Sequence, residues 1–289
     1  MSITSDWHIH SHNSCDAASL AVSDLLTAAD KKGILDFGLT DHIHTPYNLP
    51  DIAASRREFD EHQPNPHFHF GVEASCVSQW EIDEIASGRY TGDATYGIRE
   101  GGPDSAPLAL GLTAEDIKTY GIEYVVGGVH WPMYVPMERQ SIIREFHRQY
   151  MFMATHPLVD IIAHPWWWHG HWKDDQGRYT SEPWFDDFHV IPQSMHDEFV
   201  EAVLEHGCVV EVGITANLMN PGYPDGFKHQ YLEYLAELKS RGVSLSMGSD
   251  CHSKQYTIDF ERAEKMLNEV GLVDKDLWRL PPRTIKETL

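Results

Sequence analysis

IEYVVGGVH, residues 122–130, is a short apolar run punctuated by two glycines and closed by a histidine. Apolar runs of this length, rich in β-branched and aromatic residues, read as strands buried on both faces. The closing histidine then sits at the carboxyl end of its strand. The same design recurs along the chain in DWHIH (Asp6–His10), ILDFGLTDH (Ile34–His42), HFHFGVEAS (His67–Ser75), LVDIIAHP (Leu158–Pro165), CVVEVGIT (Cys208–Thr215) and VSLSMGSDCH (Val243–His252). About seven strands are expected.

Helical patterns lie between many of these runs. SLAVSDLLTAADKKG places Leu25, Leu26 and Ala29 on one side and stops at Gly33. FKHQYLEYLAELKSRG repeats this with Tyr231, Leu235 and Leu238 before Gly242, and TIDFERAEKMLNEVG ends at Gly271. Strand–helix alternation implies parallel strands joined by crossover helices. An open sheet concentrates its ligands at one switch point, whereas here nearly every strand ends in an ionisable residue, so a closed α/β barrel fits best. A single barrel domain over residues 1–289 is expected. Two stretches break the rhythm, Gly88–Leu112 and Trp166–Pro192, and are read as loop insertions without a helical or strand period. The tryptophans of the second suggest a folded lid or pocket wall.

The chain has 289 residues with a formal charge of −22, 42% hydrophobic and 23% charged residues. That charge argues against nucleic acid as a partner, which needs a basic surface. No apolar run approaches the roughly 20 residues of a membrane helix, and no basic segment followed by an apolar one opens the sequence. Cys15, Cys76, Cys208 and Cys251 show no CxxC spacing, which suits a reducing compartment. A cytoplasmic protein is expected.

Collected at the strand ends are His8, His10, His42, Glu73, His130, His164, Asp250 and His252, with Asp16 a few residues after the first pair. His8 and His10 are two apart, so on an extended strand they leave the same face; Asp250 and His252 repeat that spacing. A single histidine is more often structural than metal-bound. Six histidines and three carboxylates at one end of one barrel are another matter, because buried charges need partners and metal ions supply them.

In order along the chain stand DWHIHSHNSCDA, LTDH, GVEA, GGVHW, IIAHP and GSDCHS, from Asp6 to Ser253. This ordered set resembles the PHP family, named for polymerase and histidinol phosphatase domains, whose members are distorted (β/α)7 TIM-like barrels with a trinuclear metal site. The resemblance implies that His8, His10, Glu73 and Asp250 hold one ion. Glu73 bridges to a second, completed by His130 and His164, and Asp16, His42 and His252 hold a third. Asp16 stands where many relatives carry histidine, which tilts the preference among Mn, Fe and Zn toward Mn²⁺ or Fe²⁺. The implied chemistry is attack by a metal-bridging hydroxide on a small-molecule phosphomonoester, with Asp250, His252 or His42 moving the leaving-group proton.

VEVGITANLMNPGYP is similar to a segment of histidinol-phosphate phosphatases, but Gly213 stands in the place of an asparagine, and Ala216, Leu218 and Met219 replace basic residues. Phosphate grip would then fall to Arg99, Arg139, Lys173, Arg178 or Lys254, and an aromatic wall to Trp166 and its neighbours Trp167, Trp168 and Trp172. His12, His44, His67, His69, His169 and His171 are not read as ligands, and Cys15 and Cys251 have no partner suggesting nucleophilic work. The alternative to a phosphoesterase is metal-assisted hydrolysis of a C–N or lactone bond; a nuclease or a non-catalytic metal module ranks lower.

Overall fold

The computed structural model describes residues 3–16, 18–63, 65–90, 97–98, 100–167 and 187–280. Among them are nine strands: β1 (Ser5–Asp6), β2 (Asp36–Leu39), β3 (His42–Ile43), β4 (Phe68–Ser78), β5 (Leu108–Leu110), β6 (Tyr124–Gly128), β7 (Ile161–Ile162), β8 (Val209–Gly213) and β9 (Leu245–Gly248). Seven run in the order β1-β2-β4-β6-β7-β8-β9, each parallel to its neighbour. The two ends of that path meet. Trp7 N–H donates to Met247 O at 2.8 Å, and Asp250 N–H donates to His8 O at 2.8 Å. The result is an α/β barrel of seven parallel strands, one for each apolar run of the sequence.

Eight α-helices are described: α1 (Val22–Lys32), α2 (Leu49–Glu61), α3 (Gln79–Ala86), α4 (Ala114–Tyr120), α5 (Arg139–Thr155), α6 (Gln193–His206), α7 (Asp225–Ser240) and α8 (Phe260–Glu269). Gly33 ends α1 in the left-handed conformation at φ 71°, and its N–H reaches the carbonyls of Ala29 and Asp30. Leu25 and Ala29 of α1, Phe59 of α2, Phe146 and Met153 of α5 and Leu235 of α7 are buried in one large apolar core.

A second, smaller core is built around Trp7, Tyr124, Val126, Ile161, Ala163 and Val209. Tyr124 is its largest strand residue and donates its hydroxyl to Trp7 O at 3.0 Å. Glycines on both adjoining strands make room for it: a Cβ at Gly38 of β2 or Gly71 of β4 would lie 1.8 Å or 2.7 Å from the Tyr124 ring or hydroxyl. The alternation of large and small residues across strands is how a narrow barrel fills without strain.

The stretch Gly88–Leu112, read from sequence as having no strand period, contains one. Leu108–Leu110 forms β5 and pairs antiparallel with the overhanging end of β4, Cys76 opposite Leu110. Three residues are too few to carry a visible period, and the strand exists because β4 continues past the barrel to offer an edge. None of the helices among the described residues is long and apolar enough to cross a membrane.

His196 of α6 is buried with its ring 5.5 Å from Phe188, 5.6 Å from Trp166 and 4.7 Å from Tyr234. Burial lowers its pKa to about 4. An unfolded chain binds a proton there from about pH 6.5 downward, and the folded chain does not until about pH 4, so stability falls as pH drops through that window. At pH 5 this single group removes about 2 kcal/mol relative to pH 7. Urea unfolding of His196→Gln at the two pH values should show a difference smaller by that amount; an unchanged difference would mean the ring is protonated in the fold.

Candidate metal centre

The carboxyl ends of the barrel strands carry every ligand-type residue singled out in the sequence. His8 and His10 follow β1, and Asp16 lies in the loop beyond. His42 opens β3, which pairs with β4 so that His42 stands directly opposite Glu73. His130 follows β6, His164 follows β7, and Asp250 and His252 follow β9. Two of these positions have left-handed backbone, His164 at φ 25° and Asp250 at φ 53°. Non-glycine residues hold that conformation at a cost, and such strain collects where side chains must be aimed.

Glu73 is fully buried and is the hub. Its Oε1 lies 3.0 Å from His130 Nε2 and 3.3 Å from His164 Nε2. Its Oε2 lies 3.0 Å from His8 Nε2, 3.4 Å from His10 Nε2 and 3.0 Å from His42 Nδ1. Three groups of converging donor atoms result: His8, His10, Glu73 and Asp250; His42, Glu73 and His130; and His10, Asp16, His42 and His252. The first is the set that the sequence resemblance implies. The other two contain the implied ligands except His164, and draw in His42 and His10 as shared members.

The geometry fits cations better than protons. His8 Nε2 and His10 Nε2 are 3.0 Å apart, and His10 Nε2 is 3.3 Å from Asp250 Oδ1. Ligand atoms about 2.1 Å from a shared ion lie about 3.0 Å apart in an octahedron and about 3.4 Å apart in a tetrahedron. Glu73 Oε2, with three ring nitrogens around it, accepts a hydrogen bond from none of them. A buried carboxylate oxygen in that position is complete only with a positive charge at the point where the lone pairs meet.

The electrostatics agree. Burial works against ionisation at Glu73, yet His42, His8 and His130 hold its carboxyl well below the usual range. Asp250 is likewise held low, against burial, by His252 and His8. Burial disfavours a charged His42, but Glu73 and Asp16 outweigh it and raise the ring to about 10. His252 rises to about 9 through Asp250 and Asp16, again against burial. Burial dominates at His130, lowered to about 4, and at His44, held well below the usual histidine range by burial and by the neighbouring His42 and His130. The carboxylates are thus ionised, and positive charge is drawn in around them.

Several supporting residues were not read from the sequence. Glu211, in the middle of β8, places Oε2 2.6 Å from His8 Nδ1, and its Oε1 accepts the His164 backbone N–H at 3.3 Å. One carboxylate therefore orients one imidazole and ties down the strand end that bears another. Its space comes from Gly248 of β9, where a Cβ would lie 2.4 Å from Glu211 Cδ. The signal was present: a glutamate inside the apolar run CVVEVGIT needs a buried partner, as Glu73 does. Glu211→Gln should weaken metal affinity about 10- to 100-fold with the fold intact, read by competition with a chromophoric chelator. Unchanged affinity would show that the backbone alone aims His8.

Asp6 and Asp41, quoted in the motifs but not as ligands, are structural. Asp6 accepts the Ser249 N–H at 2.8 Å and the Tyr256 hydroxyl at 2.6 Å, which pins β1 to the end of β9. Burial raises its pKa to about 6. Asp41 accepts the Ser11 N–H at 2.5 Å and hydroxyl at 2.6 Å, fixing the turn after His10. Gly213, where histidinol-phosphate phosphatases carry asparagine, leaves space that the Asn217 side chain fills; a Cβ would lie 2.5 Å from Asn217 Oδ1.

A cavity of about 620 Å³ opens over the ligand groups. His42, Asp250 and His252, the candidates for proton transfer, all line it. The aromatic wall is only partly where the sequence placed it: Trp167 faces the cavity, joined by Trp131, whereas Trp166 is 1% exposed and packs on Tyr150 and His196. Trp166 turns away because its backbone is left-handed, at φ 62°. Lys254 is exposed beside Lys31 and Lys32 in a separate groove, and Arg139 is the first residue of α5 and does not line the cavity. Arg99, Lys173 and Arg178 lie outside the described residues, as do Trp168, Trp172, His169 and His171. His12, His67 and His69 pair with Glu58, Asp36 and Glu123, away from the cavity. His44 lines it without belonging to a ligand group.

No family model matches the chain, and no curated protein matches it. Among solved structures it is similar to a Xaa-Pro dipeptidase with methionine bound in its active site, at 11% identity and a TM-score of 0.42 over 96% of this chain and 72% of that one. It is also similar to an archaeal fructose 1,6-bisphosphate aldolase, at 11% identity and 0.31 over 92% and 93%. A further archaeal fructose-1,6-bisphosphate aldolase, with its catalytic lysine bound to a carbinolamine intermediate, aligns at 10% identity and 0.28 over 92% and 94%. The functional reading rests on the side chains of the site.

Proposed function

We propose that this chain is a PHP-type metal-dependent hydrolase, a phosphoesterase acting on a small-molecule monoester. The observation that carries the reading is the division of labour at Glu73, with Oε1 toward His130 and His164 and Oε2 toward His8, His10 and His42. A buried carboxylate that faces two histidine sets is placed to join adjacent ions. Divalent ions in such a centre, three in the resembling family and drawn from Mn, Fe or Zn, supply a water acidified toward neutrality and positive charge for the reacting group.

The chain's own residues do the rest. His8, His10, Glu73 and Asp250 would hold one position, His130 and His164 with Glu73 a second, and Asp16, His42 and His252 a third. Glu211 keeps His8 Nδ1 protonated so that Nε2 faces inward. His252 is the most accessible of the three proton-transfer candidates, its side chain 37% exposed at the cavity rim. Trp131 and Trp167 give the cavity flat apolar walls.

A second reading has one specific observation in its favour. No lysine or arginine lines the cavity among the described residues, and phosphate is ordinarily gripped by such groups beside the metals. The same centre would then hydrolyse an amide or lactone. Phosphate release over a panel of phosphomonoesters including histidinol phosphate, run beside an amide and lactone panel with Glu73→Gln as control, separates the two. Metal-loaded protein that releases phosphate, abolished in the control, supports the first; turnover on the second panel alone replaces it.

A further inference from the structure

His44 lines the cavity, and its Nδ1 lies 2.5 Å from Ser75 Oγ. The same hydroxyl lies 2.9 Å from His130 Nδ1, and His130 Nε2 lies 3.0 Å from Glu73 Oε1. Ser75 is fully buried on β4, midway between the two rings. A hydroxyl has one proton to give, and among the described residues Ser75 Oγ has only these two ring nitrogens as hydrogen-bond partners, so it donates to one imidazole and accepts from the other. The direction of the chain is therefore set at whichever end is constrained.

His130 is that end. When its Nε2 lone pair serves an ion, its proton is on Nδ1 and is donated to Ser75 Oγ. Ser75 then donates to His44 Nδ1, and the remaining His44 proton is on Nε2. Among the described residues no hydrogen bond engages that nitrogen, while the ring forms part of the cavity wall. In protein stripped of metal the chain runs the other way. His130 Nε2–H donates to Glu73, Ser75 donates to His130 Nδ1, and His44 Nδ1–H donates to Ser75. His44 then offers the cavity a lone pair instead of a proton.

We propose that Ser75 and His44 form a relay that converts an ion at His130 into a fixed N–H donor on the cavity wall, aimed at an oxygen of the substrate or of the released oxyanion. The proposal rests on the metal-hydrolase reading above. Ser75 is a positioning residue in this scheme, and His44 is the group that touches substrate. A preorganised donor of this kind serves charge that develops on oxygen during reaction, since its orientation is settled beforehand.

The test is ¹⁵N NMR of protein labelled at histidine, loaded with Zn²⁺ and then stripped by a chelator, with zinc content measured in parallel. The expected result is His44 protonated on Nε2 when loaded and on Nδ1 when stripped, with the exchange abolished in Ser75→Ala. Protein that takes up no zinc overturns the metal reading and the relay with it. Protein that takes up zinc while His44 keeps its proton on Nδ1 overturns the relay alone. For the donor role, inorganic phosphate should bind zinc-loaded His44→Phe about tenfold more weakly than wild type. His44→Gln, whose amide N–H reaches the place of Nε2, should restore most of that affinity. Equal phosphate affinity of wild type and His44→Phe overturns the assignment of His44 to a substrate oxygen.

Discussion

Glu73→Gln is expected to lower metal content and to reduce activity by a factor on the order of 10³ or more. Loss of a residue that merely orients a ligand weakens metal binding by about 10- to 100-fold, and Glu73 is itself a member of two of the three ligand groups. The amide is nearly isosteric, so the cavity and the barrel around it stay filled. What changes is charge. Five imidazole nitrogens lie within 3.4 Å of the two carboxylate oxygens. Glutamine offers them one carbonyl and one N–H₂ group, and the latter points donors where an ion's charge should be. Elemental analysis of purified wild type and variant, beside turnover on whichever panel the wild type accepts, checks this. A variant that retained full metal content would show that Glu73 is not the shared ligand.

Gly38→Ala is expected to be the most damaging single methyl group in the barrel. A Cβ at this position would lie 1.8 Å from Tyr124 Oη, closer than any non-bonded contact allows. Tyr124 cannot swing aside, being 1% exposed among Trp7, Ile161 and Val209 with its hydroxyl bonded to Trp7 O. Overpacking and the lost buried hydrogen bond together amount to about 3–5 kcal/mol. At about 2–4 °C per kcal/mol for a chain of this size class, the midpoint should fall by about 10 °C. The double variant Gly38→Ala, Tyr124→Phe removes the clashing oxygen and should recover part of the loss, a coupling that a thermodynamic cycle measures. Additive effects of the two substitutions would place the strain elsewhere.

The ligand types and their side of the barrel were legible because all but Asp16 lie at or near the end of an apolar run, and Asp16 follows the first run by a few residues. Chemistry of that kind is local: a strand and its last residue are adjacent in the chain, so period and punctuation expose both. Trp166 and Trp167 show the limit. They are neighbours of identical type, and only the left-handed turn at Trp166 decides that one enters the core and the other the cavity. Arg139 and Lys254 show it too, since a basic residue near a strand end is placed by the course of its loop, which carries no period. His44 was set aside as a loop histidine; its importance arises from Ser75 and His130, which stand on other strands.

By itself the sequence determined that the chain alternates strand and helix, that seven strands close into one barrel, and which nine side chains of ligand type stand at its carboxyl rim. Those conclusions follow from patterns within ten or twenty residues, where backbone geometry dictates which way side chains leave. Only the tertiary structure decided how eight of the nine are grouped, that Glu73 divides its oxygens between two histidine sets, and that His42 and His10 are shared. It alone revealed Glu211 behind His8, the hydroxyl joining His44 to His130, and the glycines that admit Tyr124. Each of these is a contact between residues remote in the chain, and the distance between such residues is set by packing across the barrel, which no local pattern encodes.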